Sequence, residues 1–235
     1  MKRTVVPVAA VAVALIGGCA GEASGCDAEY RLAEVKGEKR PVRIEPGQHH
    51  PGLNDRELEK ALPTPEQEAG TNDKVLNHLR QETVRMAGVM GETGRGRCAG
   101  EVDRPRGETV RCTVTYEGVT VPWLVTSKGT TSGMGAFSQD FIYTAKPLKT
   151  LHTARSVYDW YAWETGKNGT TEGPLAPVDP RCDRLPEVFT AEPGEETGYF
   201  CQDVSKTCTD DVQHVEWGDR PIRSEENGDL SFLAG

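Results

Sequence analysis

The sequence predicts an α+β protein: a helix packed on a small antiparallel sheet, with a second, disulfide-tied β-rich lobe at the C-terminus. Three observations lead there. From Val75 onward apolar residues recur at helical spacing, and from Val110 they alternate strictly, as residues of a half-buried strand do. Three of the seven cysteines, Cys182, Cys201 and Cys208, fall close together late in the chain. A length of 235 residues allows one large domain or two small ones. Hydrophobic residues make up 36% and aromatics 6%, enough for modest cores. Charged residues at 27% and a mean hydropathy of -0.54 exclude a multi-span membrane protein. A formal charge of -9 argues against a nucleic-acid partner, because phosphate binding rests on clustered Lys and Arg.

Met1, Lys2 and Arg3 form a short positive segment, followed by 12 residues, Val5 to Ile16, that are apolar apart from Pro7. This run is too short to span a bilayer comfortably and fits the hydrophobic region of an export signal. It ends Leu15-Ile16-Gly17-Gly18-Cys19, which resembles the lipobox of bacterial lipoproteins. The resemblance implies that residues 1–18 are a lipoprotein signal peptide and that Cys19 becomes the diacylglyceryl-modified N-terminus. Small Gly17 and Gly18 suit a narrow peptidase site, and the Cys19 thiol is the nucleophile for lipid transfer. Two acyl chains anchor stably where one is marginal. The expected location is the extracytoplasmic face of the cell membrane, with the membrane itself a partner through Cys19. Losing Lys2 and Arg3 leaves 25 basic residues against 36 acids, a mature charge of -11. Anionic headgroups repel such a body, so it should stand off the surface.

Residues 19–70 read as a tether and N-terminal segment. Gly21, Ser24 and Gly25 open it, Pro41 to Glu45 is strand-like, and Asp55 to Leu62 makes two helical turns before Pro63 and Pro65. Much of this stretch is expected to pack poorly. Residues 71–167 form the α+β domain. Thr71 or Asn72 caps a helix whose stripe is Val75, Leu76, Leu79, Thr83, Met86, Ala87 and Met90, with Gly91 as its stop. Val110, Cys112, Val114 and Tyr116 share one strand face; Gly118 turns the chain, and Val119, Val121, Trp123 and Val125 share a face of the return strand. Pro122 lacks a ladder donor and marks an edge or a bulge. A polar loop over 130–135 precedes a strand through Phe141, Ile142 and Tyr143. A second helix then carries Leu151, Ala154, Tyr158, Tyr161 and Ala162 on one side. Residues 174–235 are the β-rich lobe, with a hairpin near Tyr199–Cys201 and a strand around Pro221-Ile222-Arg223.

Cys98, the run Gly107-Glu108-Thr109-Val110-Arg111-Cys112-Thr113-Val114 and the following Gly118-Val119-Thr120-Val121 resemble an uncharacterised domain of secreted proteins and lipoproteins in high-GC Gram-positive bacteria. The resemblance covers about residues 72–146. It implies one helix before a small antiparallel sheet and a Cys98–Cys112 bridge, and it implies no chemistry. With Cys19 lipidated, six cysteines remain, an even number suited to an oxidising compartment. For the others two arrangements stand: Cys201–Cys208 with Cys26–Cys182, or Cys182–Cys201 with Cys26–Cys208. The first follows from an internal echo. Six residues separate Cys201 from Cys208 as they separate Cys19 from Cys26, and Pro221 to Glu225 follows much as Pro41 to Glu45 does. If the echo is structural, the N-terminal segment pairs with the C-terminal sheet.

Chemical motifs are absent from the sequence. There is no Gly-x-Ser-x-Gly elbow, no Ser-x-x-Lys, no phosphate loop and no dinucleotide fingerprint. No two cysteines are close enough for a zinc pair. His49 and His50 are adjacent and point apart in any regular element, so they read as polar surface. His214 and Glu216 alternate on a strand and read as a solvated face. No catalytic residue, metal ligand or cofactor is expected. The strongest binding candidates are Trp160 and Trp163, which crowd one helix with Tyr158 and Tyr161 and cannot all face one core. The expected role is a non-catalytic binding or scaffolding module of the cell envelope, with an envelope protein or a glycan as partner. The alternative is an envelope hydrolase using an unrecognised carboxylate pair.

Overall fold

The computed structural model describes residues 32, 35–132, 139–169, 178–209 and 212–233. The fold is α+β, with both disulfides described below tying its sheets. Helix α1 spans Asp55–Ala61 and α2 spans Thr71–Ala87. The first sheet joins β2 (Arg97–Cys98), β3 (Thr109–Tyr116), β4 (Val119–Ser132) and β5 (Gln139–Pro147) in that order, all antiparallel. The alternation read from the sequence points Val110, Cys112, Val114 and Tyr116 of β3 inward, opposite Val121, Trp123 and Val125 of β4. Val75, Leu79, Val84 and Ala87 of α2 close this core. Thr83 belongs to it because its hydroxyl donates to Leu79 O (2.7 Å) and accepts the Trp123 indole N–H (3.3 Å), leaving neither polar group orphaned.

Several boundaries differ from expectation. Gly70 is the N-cap of α2, and Asn72 Oδ1 instead accepts the Val102 N–H at 2.9 Å. The helix stops at Gly88, not Gly91: Gly88 takes φ 70°, and its N–H closes on Val84 O and Arg85 O. A Cβ at Gly88 would also lie 2.1 Å from Ser156 Oγ, so only glycine fits. Met90 thus leaves the stripe and is 40% exposed. Strand β4 continues to Ser132, so Thr130 to Ser132 are strand, and residues 133–138 lie outside the described residues. Pro122 faces the place where β5 ends, its carbonyl accepting from Leu148 N at 2.8 Å. The N-terminal segment is better packed than expected, for Leu58 and Leu62 are 1% and 6% exposed in the first core.

The second sheet runs β1 (Val42–Arg43), β7 (Val178–Cys182), β9 (Glu196–Thr209), β10 (Val212–Ser224) and β11 (Leu230–Phe232), again antiparallel. The N-terminal segment therefore does pair with the C-terminal sheet, through β1 on β7. The expected hairpin at Tyr199–Cys201 is a correction: these residues lie within β9, and the long β9–β10 ladder reaches Thr209 opposite Val212. Helix α3 (Ala154–Gly169) packs Val157 and Tyr161 against Ile44, Leu185 and Ile222 in a second core. Leu151, read as helical, belongs instead to strand β6 (Thr150–Thr153), which pairs with β8 (Val188–Ala191) between the two cores.

Cys98–Cys112 links register partners of β2 and β3, and Cys182–Cys201 links register partners of β7 and β9. The second bridge overturns the Cys201–Cys208 arrangement for a simple reason. Both of those residues lie in one continuous extended strand, and seven residues at about 3.3 Å each hold them far beyond disulfide reach. Cys208 sits opposite Gln213, while Cys26 and Cys19 lie outside the described residues.

Arg40 locks the N-terminal segment to the second sheet. Its guanidinium meets Asp183 and Asp219, each at 2.7 Å, and stacks over Phe200, while its N–H donates to Gln202 Oε1 at 2.6 Å. The hydrogen bond from Arg40 holds the Asp219 carboxyl below the usual carboxylate range.

Candidate functional site

An open groove of about 1560 Å³ lies at the seam between the two cores. One wall is a strap of residues 45–54 that continues from β1 into α1. The strap lies on α3 because two glycines allow backbone contact there. Gly47 N donates to Ala162 O at 2.8 Å, and a Cβ on Gly166 would fall 1.9 Å from Gly47 O. Asn54 then ends the strap by capping α1, its Oδ1 accepting the Arg56 N–H at 2.9 Å. The opposite wall is the end of α2, Gly88 to Met90, with the β3–β4 turn, Tyr116 to Val119. The Tyr116 hydroxyl donates to Val89 O at 3.0 Å and pins these two pieces together. Burial, with Glu117 adding to it, pushes that phenol up. The first turns of α3 and the chain at Glu187–Val188 complete the groove.

The apolar part of the surface comes from Leu53, Val89, Met90, Val119, Tyr158 and Trp163, and the charge is one-sided. Five carboxylates border it, Glu45, Glu57, Glu117, Asp159 and Glu187, against one arginine, Arg155. Arg155 lies 3.6 Å from Asp159, and Glu45 lies 3.4 Å from Arg43 outside the groove. Among the described residues, Glu57 and Glu187 have no ion-pair partner, and both are exposed. Glu117, with φ 46°, is exposed and accepts the Glu92 N–H at 2.6 Å.

Trp160 and Trp163 are both half-buried. Their rings meet edge-on at 5.4 Å, and His50 packs against both, at 5.0 and 4.7 Å. The tryptophans therefore pack on the strap through His50, a residue that the sequence alone reads as polar surface. Trp163, His49 and His50 line the groove. His214 and Glu216 lie on β10 as expected, both exposed.

One polar cluster was invisible in the sequence. His152 of β6 is fully buried, with Nε2 2.9 Å from Ser224 Oγ and 3.2 Å from Thr150 Oγ1. Ser224 Oγ donates to Thr150 Oγ1 at 2.7 Å, and Thr150 Oγ1 donates to Ala191 O at 3.1 Å. The network assigns the proton: the chain runs one way when His152 carries it on Nε2, which leaves an unpartnered lone pair rather than an unpartnered N–H at Nδ1. Ser224 is thus the acceptor from His152. A serine nucleophile needs the reverse, a histidine that takes the serine proton. Burial alone drives the His152 pKa down to about 4, so the ring is neutral at pH 7.

Among the described residues no helix is long and apolar enough to cross a membrane, and no three His, Cys, Asp or Glu side chains gather as a metal group. Neither a family model, nor a curated protein, nor a solved structure matches the chain.

Proposed function

We propose that the chain is a lipid-anchored module at the extracytoplasmic face of the cell membrane, held through Cys19, and that it binds an envelope protein or glycan in the seam groove. The groove carries this reading: an open cleft of about 1560 Å³ lined by both apolar side chains and carboxylates offers a concave surface of the kind that binds partners. The disulfides Cys98–Cys112 and Cys182–Cys201 are compatible with an oxidising compartment. The rim carboxylates Glu57, Glu117 and Glu187 are exposed to water, which suits attraction of a partner better than it suits a carboxyl-based hydrolase needing one enclosed acid.

Two measurements test this. Intact mass of protein from native-host membranes should show loss of residues 1–18 and gain of a diacylglyceryl group. An unlipidated mass retaining a free Cys19 would mean a secreted protein instead. A benzophenone side chain at Met90, inside the groove, should give a defined adduct in the native envelope. The same label at Ile142, exposed but outside the groove, should not. Equal labelling from both positions would remove the groove from the argument.

A further inference from the structure

Resting on the binding-module reading, we infer that the groove takes an extended, cationic amphipathic peptide segment: basic side chains on the acidic rim, apolar side chains against Met90, Val119 and Leu53. Two features select this occupant over others. The first is charge complementarity. Glu57 and Glu187 line the groove with no ion-pair partner among the described residues, and the arginine of the lining, Arg155, is engaged by Asp159. Such a rim repels phosphate-bearing polymers and anionic lipid and concentrates cations. The second is the make-up of the lining. The groove is open, is drawn from five separate segments of chain, and combines carboxylates with apolar side chains. A small ligand finds no enclosure there, whereas a segment alternating basic and apolar side chains matches the rim and the floor at once. Trp163 is half-buried and packs edge-on with Trp160 and His50, so it offers only part of its ring to a sugar.

The test is a titration of the full chain, followed by tryptophan emission, with a short peptide of alternating lysine and leucine. The comparison probes are the glutamate–leucine peptide of equal length and a chitooligosaccharide. Saturable binding of the lysine peptide alone is expected, weakening as salt shortens the screening length to about 8 Å and below. Glu57→Gln with Glu187→Gln should weaken it, by up to about fivefold for each carboxylate. Glu66→Gln with Glu68→Gln removes the same charge from exposed positions outside the groove and should leave the affinity unchanged. Equal effects of the two variant pairs would show non-specific attraction to an acidic protein and overturn the inference. Equal binding of the glutamate peptide, or preference for the sugar, would overturn the cationic assignment while keeping the groove as a binding site. No response to any of the three probes would overturn both.

Discussion

His152 makes folding stability fall with acid in a way that can be calculated. In the unfolded chain its imidazole titrates near the ordinary 6.5, and in the fold burial lowers it to about 4. Between these values the unfolded state binds a proton that the folded state refuses, so stability drops as pH falls. Each unit is worth about 1.4 kcal/mol, which gives about 3 kcal/mol lost from this residue between pH 7 and pH 4. Other groups titrate in the same range. Asp219, held low by Arg40, loses that pair in acid, so the wild-type curve alone does not isolate the histidine. His152→Gln does. A glutamine amide retains a donor toward Ser224 Oγ, now 2.9 Å from Nε2, and cannot charge in this range. Urea unfolding at intervals from pH 7 to pH 4 should give two curves that converge toward acid. The wild type should lose about 3 kcal/mol more than the variant, which for a chain of this size is a difference of about 6–12 °C in Tm. Parallel curves would refute the reasoning, because they would show that His152 takes up its proton as readily in the fold as in water.

Gly166→Ala places a methyl group into the strap backbone at 1.9 Å from Gly47 O, where the neighbour is main chain and cannot swing aside. The overlap should outweigh the roughly 1 kcal/mol helix gain of alanine, lower Tm by several degrees, and shift the emission of Trp160 and Trp163 as the strap lifts. Replacing either disulfide pair, Cys98 with Cys112 or Cys182 with Cys201, by alanines should cost about 2–4 kcal/mol in denaturant unfolding. Their sequence separations of 14 and 19 are similar, and they tie different sheets, so the losses should be comparable and nearly additive. Trp160→Ala and Trp163→Ala should each keep the near-ultraviolet dichroism of a folded chain, since both rings are half-buried. If both unfold the protein, the rings are core and the aromatic wall is no binding feature.

Elements that bury one face by local pattern alone are legible in the sequence. The period-2 alternation over Val110 to Tyr116 and the period-3.6 stripe from Val75 each describe one element burying one face, and both faces are where the pattern puts them. Boundaries failed where a second element decided them. Gly88 ends α2 because Ser156 leaves no room for a side chain, a fact written in α3 and not in α2. Leu151 sits three residues before Ala154 and so imitates a helical stripe, but pairing with Thr190 makes it a strand residue. In β9 the polar run from Gln202 to Thr209 resembles a loop; its main chain pairs with β10, and strand formation there owes little to side-chain preference. The groove was beyond local reading altogether, since its walls come from segments as far apart as Glu45 and Val188. His50 could have been noticed only by asking where a chain rich in Pro46, Gly47, Pro51 and Gly52 must run once β1 is fixed at a sheet edge.

The strap has a consequence for how an anchored form would work. Val35 is 9% exposed, so with Cys19 lipidated as proposed, the 16 residues from Cys19 to Val35 set the upper limit on the distance from the lipid to that buried position. Fully extended, they reach at most about 55 Å. Repulsion between an acidic body and an anionic surface fades over a screening length of about 8 Å. A body on such a tether relieves nearly all of that repulsion by standing off a small part of its reach, and electrostatics then no longer fixes the distance. The Arg40 clamp sets where the tether leaves the fold: pulling on residue 35 loads the pairs to Asp183 and Asp219 before it reaches the Gly47 contact with α3. Under the proposed anchoring, a load on the tether therefore meets a part-buried, two-carboxylate lock before it meets the groove wall.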